Sequence, residues 1–266
     1  MYDLEIGLRV YPGISKKPLL RGSKLETFEQ VYRSILESSQ SLNTKITVFS
    51  DGCGDEFHEM IRKMTSERYG LEIVKVDCFS GPKSFKLQYD YLSNSKAKLV
   101  ALLEDDYLLD SDALDSVFRY AESKQFKSYY TFFNSSDYYS HELHNYRSKI
   151  NYFEGNYWRA VASTTFTFLC SPSTLKRNRG FFRTYSLGNF DHNVWASQTK
   201  LGWWCLNASI LRKPSANNLK RLLKFYLTLL LLFPLVFSRR ENLWVCMPGK
   251  GTHLEIQGFS LDHGLE

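Results

Sequence analysis

The chain has 266 residues, 43% of them apolar, which is enough to bury one large α/β core with or without a helical appendage. Its net charge of +6 favours an anionic ligand or a membrane surface, but the charge is too diffuse for a nucleic-acid binder. The five cysteines are scattered without a C-x-x-C pair, which argues against a disulfide framework or a zinc site and fits a reducing compartment.

Leu4–Tyr11 reads as a strand closed by Pro12-Gly13, and Lys24–Ser39 as a helix with Leu25, Phe28, Val31, Tyr32, Ile35 and Leu36 at helical spacing. A strand at Lys45–Phe49 runs into Ser50-Asp51-Gly52-Cys53-Gly54-Asp55. A helix over Glu56–Tyr69, a strand over Leu71–Val76 and a short helix over Ser84–Leu92 follow. Leu99–Leu103 is a continuous apolar strand that stops at Glu104-Asp105-Asp106; Asp110–Lys124 is helical and Tyr129–Phe133 strand-like. The second half is less regular, with strands expected at Trp158–Val161 and Thr164–Cys170 and a helix at Phe190–Gln198. Leu219–Phe237 is an apolar run flanked by Lys220, Arg221, Lys224, Arg239 and Arg240. It is shorter than the roughly 20 residues that span a bilayer and is interrupted by Pro234, so it is expected to lie in the membrane interface, with a buried core helix as the alternative. No charged n-region or apolar h-region opens the sequence, and a cytoplasmic protein is expected, peripheral on the inner face of the membrane.

Strand–helix alternation at this spacing predicts a mainly parallel sheet covered on both faces. Ligands in such sheets bind beyond the carboxyl ends of the strands. Asp51 and the Glu104–Asp106 cluster both follow predicted strands, so they belong on one edge of the sheet. Three consecutive carboxylates after a buried strand are costly unless neutralised. A Mg²⁺ or Mn²⁺ ion bridging to a diphosphate would neutralise them, whereas a solvated helix-capping turn would leave them in water.

Leu102-Leu103-Glu104-Asp105-Asp106 resembles the acidic D-x-D-type motif of GT-A glycosyltransferases, in particular the family-2 group. Ser50 to Asp55 resembles their D-D-G-S-x-D nucleoside loop, Gly81 to Gln88 lies where they carry a G-x-x-x-x-R-N-like segment, and Asn189-Phe190-Asp191-His192 lies where they carry the catalytic base. Ser163–Phe168 and Thr252-His253-Leu254-Glu255 look like a bacterial subgroup associated with surface polysaccharides. The resemblance spans roughly residues 4 to 205. It departs from the pattern at Ser50, Phe85, Gln88 and Phe190, where an acid, an Arg, an Asn and another acid are usual.

The resemblance implies a GT-A, Rossmann-like domain over 1–212 and a C-terminal extension over 213–266. The implied reaction moves a sugar from a nucleotide-sugar donor to a saccharide or lipid-linked acceptor. Glu104, Asp106 and a late His253 would hold Mn²⁺ or Mg²⁺. Asp191 would be the general base. Asp51 and Asp55 would contact the nucleoside, Arg9 and Lys83 the diphosphate, with Tyr11, Gln88 and Asp105 completing the donor site. His141, His144 and His192 are expected on the surface. Sugar nucleotidylyltransferases share this kind of sheet, but the turn after the first strand offers them only Gly13. A non-catalytic nucleotide-sugar or carbohydrate-binding module is the alternative from another class.

Overall fold

The structure, a computed structural model, describes residues 1–13, 19–20, 22–140, 144–187, 189, 191–201 and 238–254. Leu219–Phe237, His141, Phe190, Cys205 and Glu255 lie outside the described residues. The first half runs β1 (Leu4–Val10), α1 (Lys24–Ser38), β2 (Thr44–Asp51), α2 (Asp55–Met64), β3 (Gly70–Val76), α3 (Gly81–Leu92), β4 (Leu99–Glu104), β5 (Tyr107–Leu109), α4 (Ala113–Ser123) and β6 (Tyr129–Thr131). The second half adds α5 (Asp137–Ser140), β7 (Ile150–Phe153), β8 (Asn156–Ala160), β9 (Phe168–Cys170), α6 (Pro172–Arg177), α7 (Arg179–Ser186), α8 (Asp191–Thr199), β10 (Leu243–Met247) and β11 (Gly251–His253).

Nine strands form one sheet in the order β3-β2-β1-β4-β9-β6-β10-β8-β7. The pairings leave only β9 and β8 running against the other seven, so the sheet is mainly parallel as the alternation predicts. Its β3-β2-β1-β4 half has the order of a nucleotide-binding half-sheet.

Side-chain parity explains why both faces need cover. In β4, Leu99, Ala101 and Leu103 enter one core with Phe28 and Val31 of α1 and Leu114 and Val117 of α4. Val100 and Leu102 enter a second core with Phe85 and Tyr89 of α3, Phe182 of α7 and Trp195 of α8. Gly7 of β1 lets α3 approach closely, because a Cβ there would lie 2.7 Å from Leu92 and 3.1 Å from Gln88. A capping box opens α1: Glu26 N donates to Ser23 Oγ (3.2 Å) and Ser23 N donates to Glu26 Oε2 (2.7 Å). Such a cap stabilises a helix by about 1 kcal/mol and here fixes where Lys24 sits.

Three local expectations are corrected. Helix α2 stops at Met64, and Thr65 turns to extended backbone while its hydroxyl bonds back to the Ile61 carbonyl at 2.6 Å. Helix α4 starts at Ala113 because Tyr107–Leu109 is taken into an antiparallel pairing with Gly251–His253. The described part of the stretch expected as a C-terminal extension belongs to the main body, since β10 lies inside the sheet between β6 and β8.

Candidate active site

Arg9 and Glu104 are register partners on the neighbouring strands β1 and β4, one residue from the end of β1 and at the last residue of β4. Parity turns both toward α3, as it does Asp51 at the end of β2. Arg9 Nη2 lies 3.1 Å from Glu104 Oε1, and Arg9 Nη1 donates to Ser84 Oγ at 3.3 Å. The N-terminus of α3 stands over this pair, for a Cβ at Gly81 would lie 3.2 Å from Arg9 Nη1. Burial, then the charge of Asp106, holds the Glu104 carboxyl well above the usual range, with Arg9 pulling the other way.

The three acids of the cluster diverge. Asp105, 6% exposed, turns to the opposite face, where its Oδ2 accepts from Lys24 Nζ and from Tyr11 N, both at 2.9 Å. Burial raises its pKa and Lys24 opposes the rise. Asp105 therefore anchors the chain after β1 to the start of α1. Tyr11 contributes its backbone to this anchor, while its side chain is 42% exposed. Asp106 meets His253 across the β5–β11 ribbon, Oδ2 to Nε2 3.2 Å, 147 residues apart in sequence. The His253 ring stacks on Tyr107 with centroids 4.7 Å apart, and Leu254 N donates to the Asp106 carbonyl at 2.7 Å. The other carboxylate oxygen, Asp106 Oδ1, is buried with no hydrogen-bond partner among the described residues. Buried acceptors are rarely left so.

The remaining expected donor residues differ in how far contacts within the chain occupy them. Asp51 is 2% exposed and accepts on Oδ1 from Cys78 N (2.7 Å) and Phe79 N (3.0 Å), which pins the turn between β3 and α3. That turn lies over Gly52, whose φ of +74° and 2.6 Å Cβ approach to the Phe79 ring admit only glycine without strain. Gln88 is 2% exposed, and its amide nitrogen donates to the carbonyls of Gly7 (2.6 Å) and Leu103 (3.1 Å), tying α3 to β1 and β4. Lys83 is exposed in the first turn of α3. Asp55 opens α2, its carboxylate 83% exposed and 3.3 Å from Lys75 Nζ and 3.4 Å from His58 Nδ1. Since Ser50 Oγ lies 2.8 Å from His58 Nε2, Ser50, His58 and Asp55 have the connectivity of a hydrolytic triad. Ser50 and His58 are only 2% and 1% exposed, so the chain of bonds braces the loop.

Asp191 begins α8 on the rim of a recess of about 220 Å³, walled by Phe133, Tyr138, His144, Thr164, Thr165 and His192. Its Oδ1 accepts from His192 N at 2.7 Å. The residue keeps an exposed side, yet surrounding protein raises its pKa by burial, against the lowering pull of the His192 and Asp191 amides. His144 is buried at 8% exposure, and His192 is half-buried with Nδ1 3.1 Å from Ser163 Oγ, which corrects their expected surface placement. Glu104 and Asp106 do not line the recess. Two residues with no sequence signal connect the regions. Tyr107, next to Asp106, shares a 2.9 Å hydroxyl bond with Thr165 of the recess wall. Tyr185 of α7 packs its ring against Phe85 of α3 (5.5 Å) and Phe166 beside the recess wall (4.1 Å), and burial, then the charges of Glu104 and Asp191, raises its pKa while Arg9 lowers it. Lys24 was also missed, although the S-x-x-E capping box beside it marks the start of its helix.

No known family profile and no curated protein sequence matches the chain. Among solved structures, it is similar to residues 1–349 of S. aureus TarS, with TM-score 0.44 and 10% identity over 66% of this chain and 49% of that one. The galactosyltransferase LgtC with donor and acceptor sugar analogues gives TM-score 0.44 and 11% identity over 72% and 69%. A mannosyltransferase from Pyrobaculum calidifontis, in complex with GDP-Man and Mn²⁺, gives 0.37 and 12% over 49% and 35%. The chain thus spans about half the length of the TarS fragment. Likenesses of this size assign no residue a role.

Proposed function

We propose that this protein is a glycosyltransferase that moves a sugar from a nucleotide-sugar donor to a saccharide or lipid-linked acceptor, with inversion and with Mn²⁺ or Mg²⁺ as cofactor. The observation that carries the reading is the meeting of Asp106 and His253 beyond the carboxyl ends of the strands, with Asp106 Oδ1 buried and unpartnered. Among the described residues no three His, Cys, Asp or Glu side chains surround a common point. A carboxylate and an imidazole nonetheless suit a cation whose remaining ligands are phosphate oxygens and water. Asp106 and His253 would hold the ion, and Glu104, already paired with Arg9, would add its charge directly or through water. The cation would supply Lewis-acid stabilisation of the departing diphosphate.

The rest is done by the chain. Arg9 and the N-terminus of α3, with Lys83 in its first turn, favour the diphosphate. Asp55, exposed at the start of α2 beside Lys75, would contact the nucleoside, while Asp51 pins the neighbouring turn between β3 and α3. Asp191 takes the proton of an acceptor hydroxyl as its oxygen bonds to the anomeric carbon, and the bond from that carbon to the phosphate oxygen breaks. The resemblance of Ser163–Phe168 and the late His253 segment supports an acceptor in polysaccharide synthesis.

The test is thermal denaturation with nucleotide sugars, with and without Mn²⁺, alongside donor hydrolysis. Cation-dependent stabilisation with hydrolysis is expected. Equal stabilisation in EDTA and in Mn²⁺ would overturn the metal assignment. Stabilisation without turnover would leave a binding module.

A further inference from the structure

The Asp191 recess adjoins a second one. Tyr138 and His144 wall both, and the second, of about 500 Å³, is completed by Tyr139, Asn145, Tyr146 and Arg159. Arg159 lies on β8, between β10 and the edge strand β7, in the β7–β8 hairpin closed by Glu154 and Gly155, both at positive φ (47° and 80°). This two-residue turn matches the strand twist.

The hairpin has two unlike faces. Inward, Trp158 is fully buried and stacks on Tyr120 at 4.0 Å, and Asn151 Nδ2 donates to Tyr120 Oη at 2.9 Å. Outward, register pairs Ile150 with Arg159 and Tyr152 with Tyr157. Ile150, Tyr152 and Tyr157 are 59%, 67% and 54% exposed, where an edge hairpin ordinarily carries polar side chains. The two tyrosine rings are 5.2 Å apart, and the Arg159 guanidinium lies 5.1 Å from the centroid of Tyr139, itself half exposed. No carboxylate forms an ion pair with Arg159 among the described residues. Outward positions on one strand are about 7 Å apart, so the Tyr152–Tyr157 ring pair forms one aromatic station a single outward position from Arg159.

We propose that this strip is an acceptor platform for an anionic glycan chain. The terminal sugar enters the Asp191 recess, an oxyanion of the chain pairs with Arg159, and further rings lie on Tyr152 and Tyr157. The proposal rests on the transferase reading and names its acceptor class. Tyrosine suits a sugar because the ring offers an apolar face to the C–H surface while its hydroxyl stays hydrated. A lipid-facing strip would be lined with Leu, Phe or Trp, not with Tyr, Asn145 and Arg159. An exposed patch contiguous with a functional recess marks an interaction site.

Affinity electrophoresis of the full chain in unmodified, carboxymethyl and phosphorylated dextran of matched length tests this. Charged dextran should bind wild type at least tenfold tighter than neutral dextran, and the carboxymethyl and phosphorylated arms distinguish the two oxyanion sources. Tyr152→Ala should weaken charged-dextran binding about tenfold, Tyr152→Trp should restore it, and Arg159→Gln should erase the preference for charge. Lys63→Gln, removing the same charge from α2, should change nothing. Binding unaffected by Tyr152→Ala, binding lost equally in Lys63→Gln, or no binding in any arm overturns the platform. Concentration-dependent dimerisation abolished by Tyr152→Ala would instead assign the strip to self-association and overturn it as well. Dextran binding by a wild type that no nucleotide sugar stabilises would refute the transferase reading and leave the platform standing.

Discussion

Asp191→Asn separates catalysis from helix architecture because the two predict opposite signs. The carboxylate opens α8, and the surrounding protein raises its pKa through burial, so its ionised form is disfavoured relative to the unfolded chain. The associated penalty is absent below the ordinary aspartate value of 3.8 and sets in as the pH rises from there through the raised value. Asparagine keeps an oxygen for the His192 amide, now 2.7 Å from Oδ1, and carries no charge to desolvate. The melting temperature at pH 7 should therefore hold or rise slightly, the gain kept small because Asp191 has an exposed side. Sugar transfer should fall by about 10²–10⁴-fold, the usual contribution of a positioned general base. In wild type, kcat/KM should decline toward acid with a midpoint above 3.8, and the variant should lose that limb. Calorimetry, initial rates against pH and product NMR supply the measurements. Near wild-type transfer by Asp191→Asn, or a product that retains the donor's anomeric configuration, would refute the reasoning.

Asp106→Ala should abolish the Mn²⁺-dependent part of nucleoside-diphosphate stabilisation, an effect of about 3 kcal/mol at a hundredfold excess over Kd, while the nucleotide-free melting temperature changes little. Asp51→Ala should destabilise the protein by about 2–4 kcal/mol, since it strips two backbone amides of a charged acceptor. Asp51→Asn should cost far less in urea denaturation, and a matching loss in both would assign Asp51 to charge rather than to loop architecture. The Leu219–Phe237 segment predicts co-sedimentation with anionic liposomes at low salt that fades as salt is raised; failure to sediment at low salt removes it from the membrane interface.

The α/β class was legible because local signals agreed with the global arrangement. Apolar runs such as Leu99–Leu103 can be buried on both faces only in a covered sheet, and the helices between them repeat at the right spacing. The second half was harder to read because its strands are short and pair over long distances. β9 and β6 have three residues each, and β10 enters the sheet from beyond position 240. No periodicity within three residues distinguishes a strand from a loop. The β7–β8 hairpin does carry a local signal, Glu154-Gly155 between alternating residues.

The candidate site was legible to the extent that parity sets it. Once β1, β2 and β4 are parallel neighbours, Arg9, Asp51 and Glu104 must emerge on one face, and their strand-end positions put them at one edge. What parity does not set is how each side chain spends its hydrogen bonds. Asp51, Gln88 and Asp105 stand where donor contacts were expected, and each is instead occupied by backbone amides, strand carbonyls or Lys24. These are buried polar groups whose satisfaction depends on loops that meet only after folding. Asp106 differs in that one oxygen meets His253 and the other is buried without a protein partner. A loop-bracing carboxylate would have both oxygens satisfied or left in water. The unspent acceptor therefore separates Asp106 from its two acidic neighbours, and it makes Asp106 the residue on which the metal assignment stands.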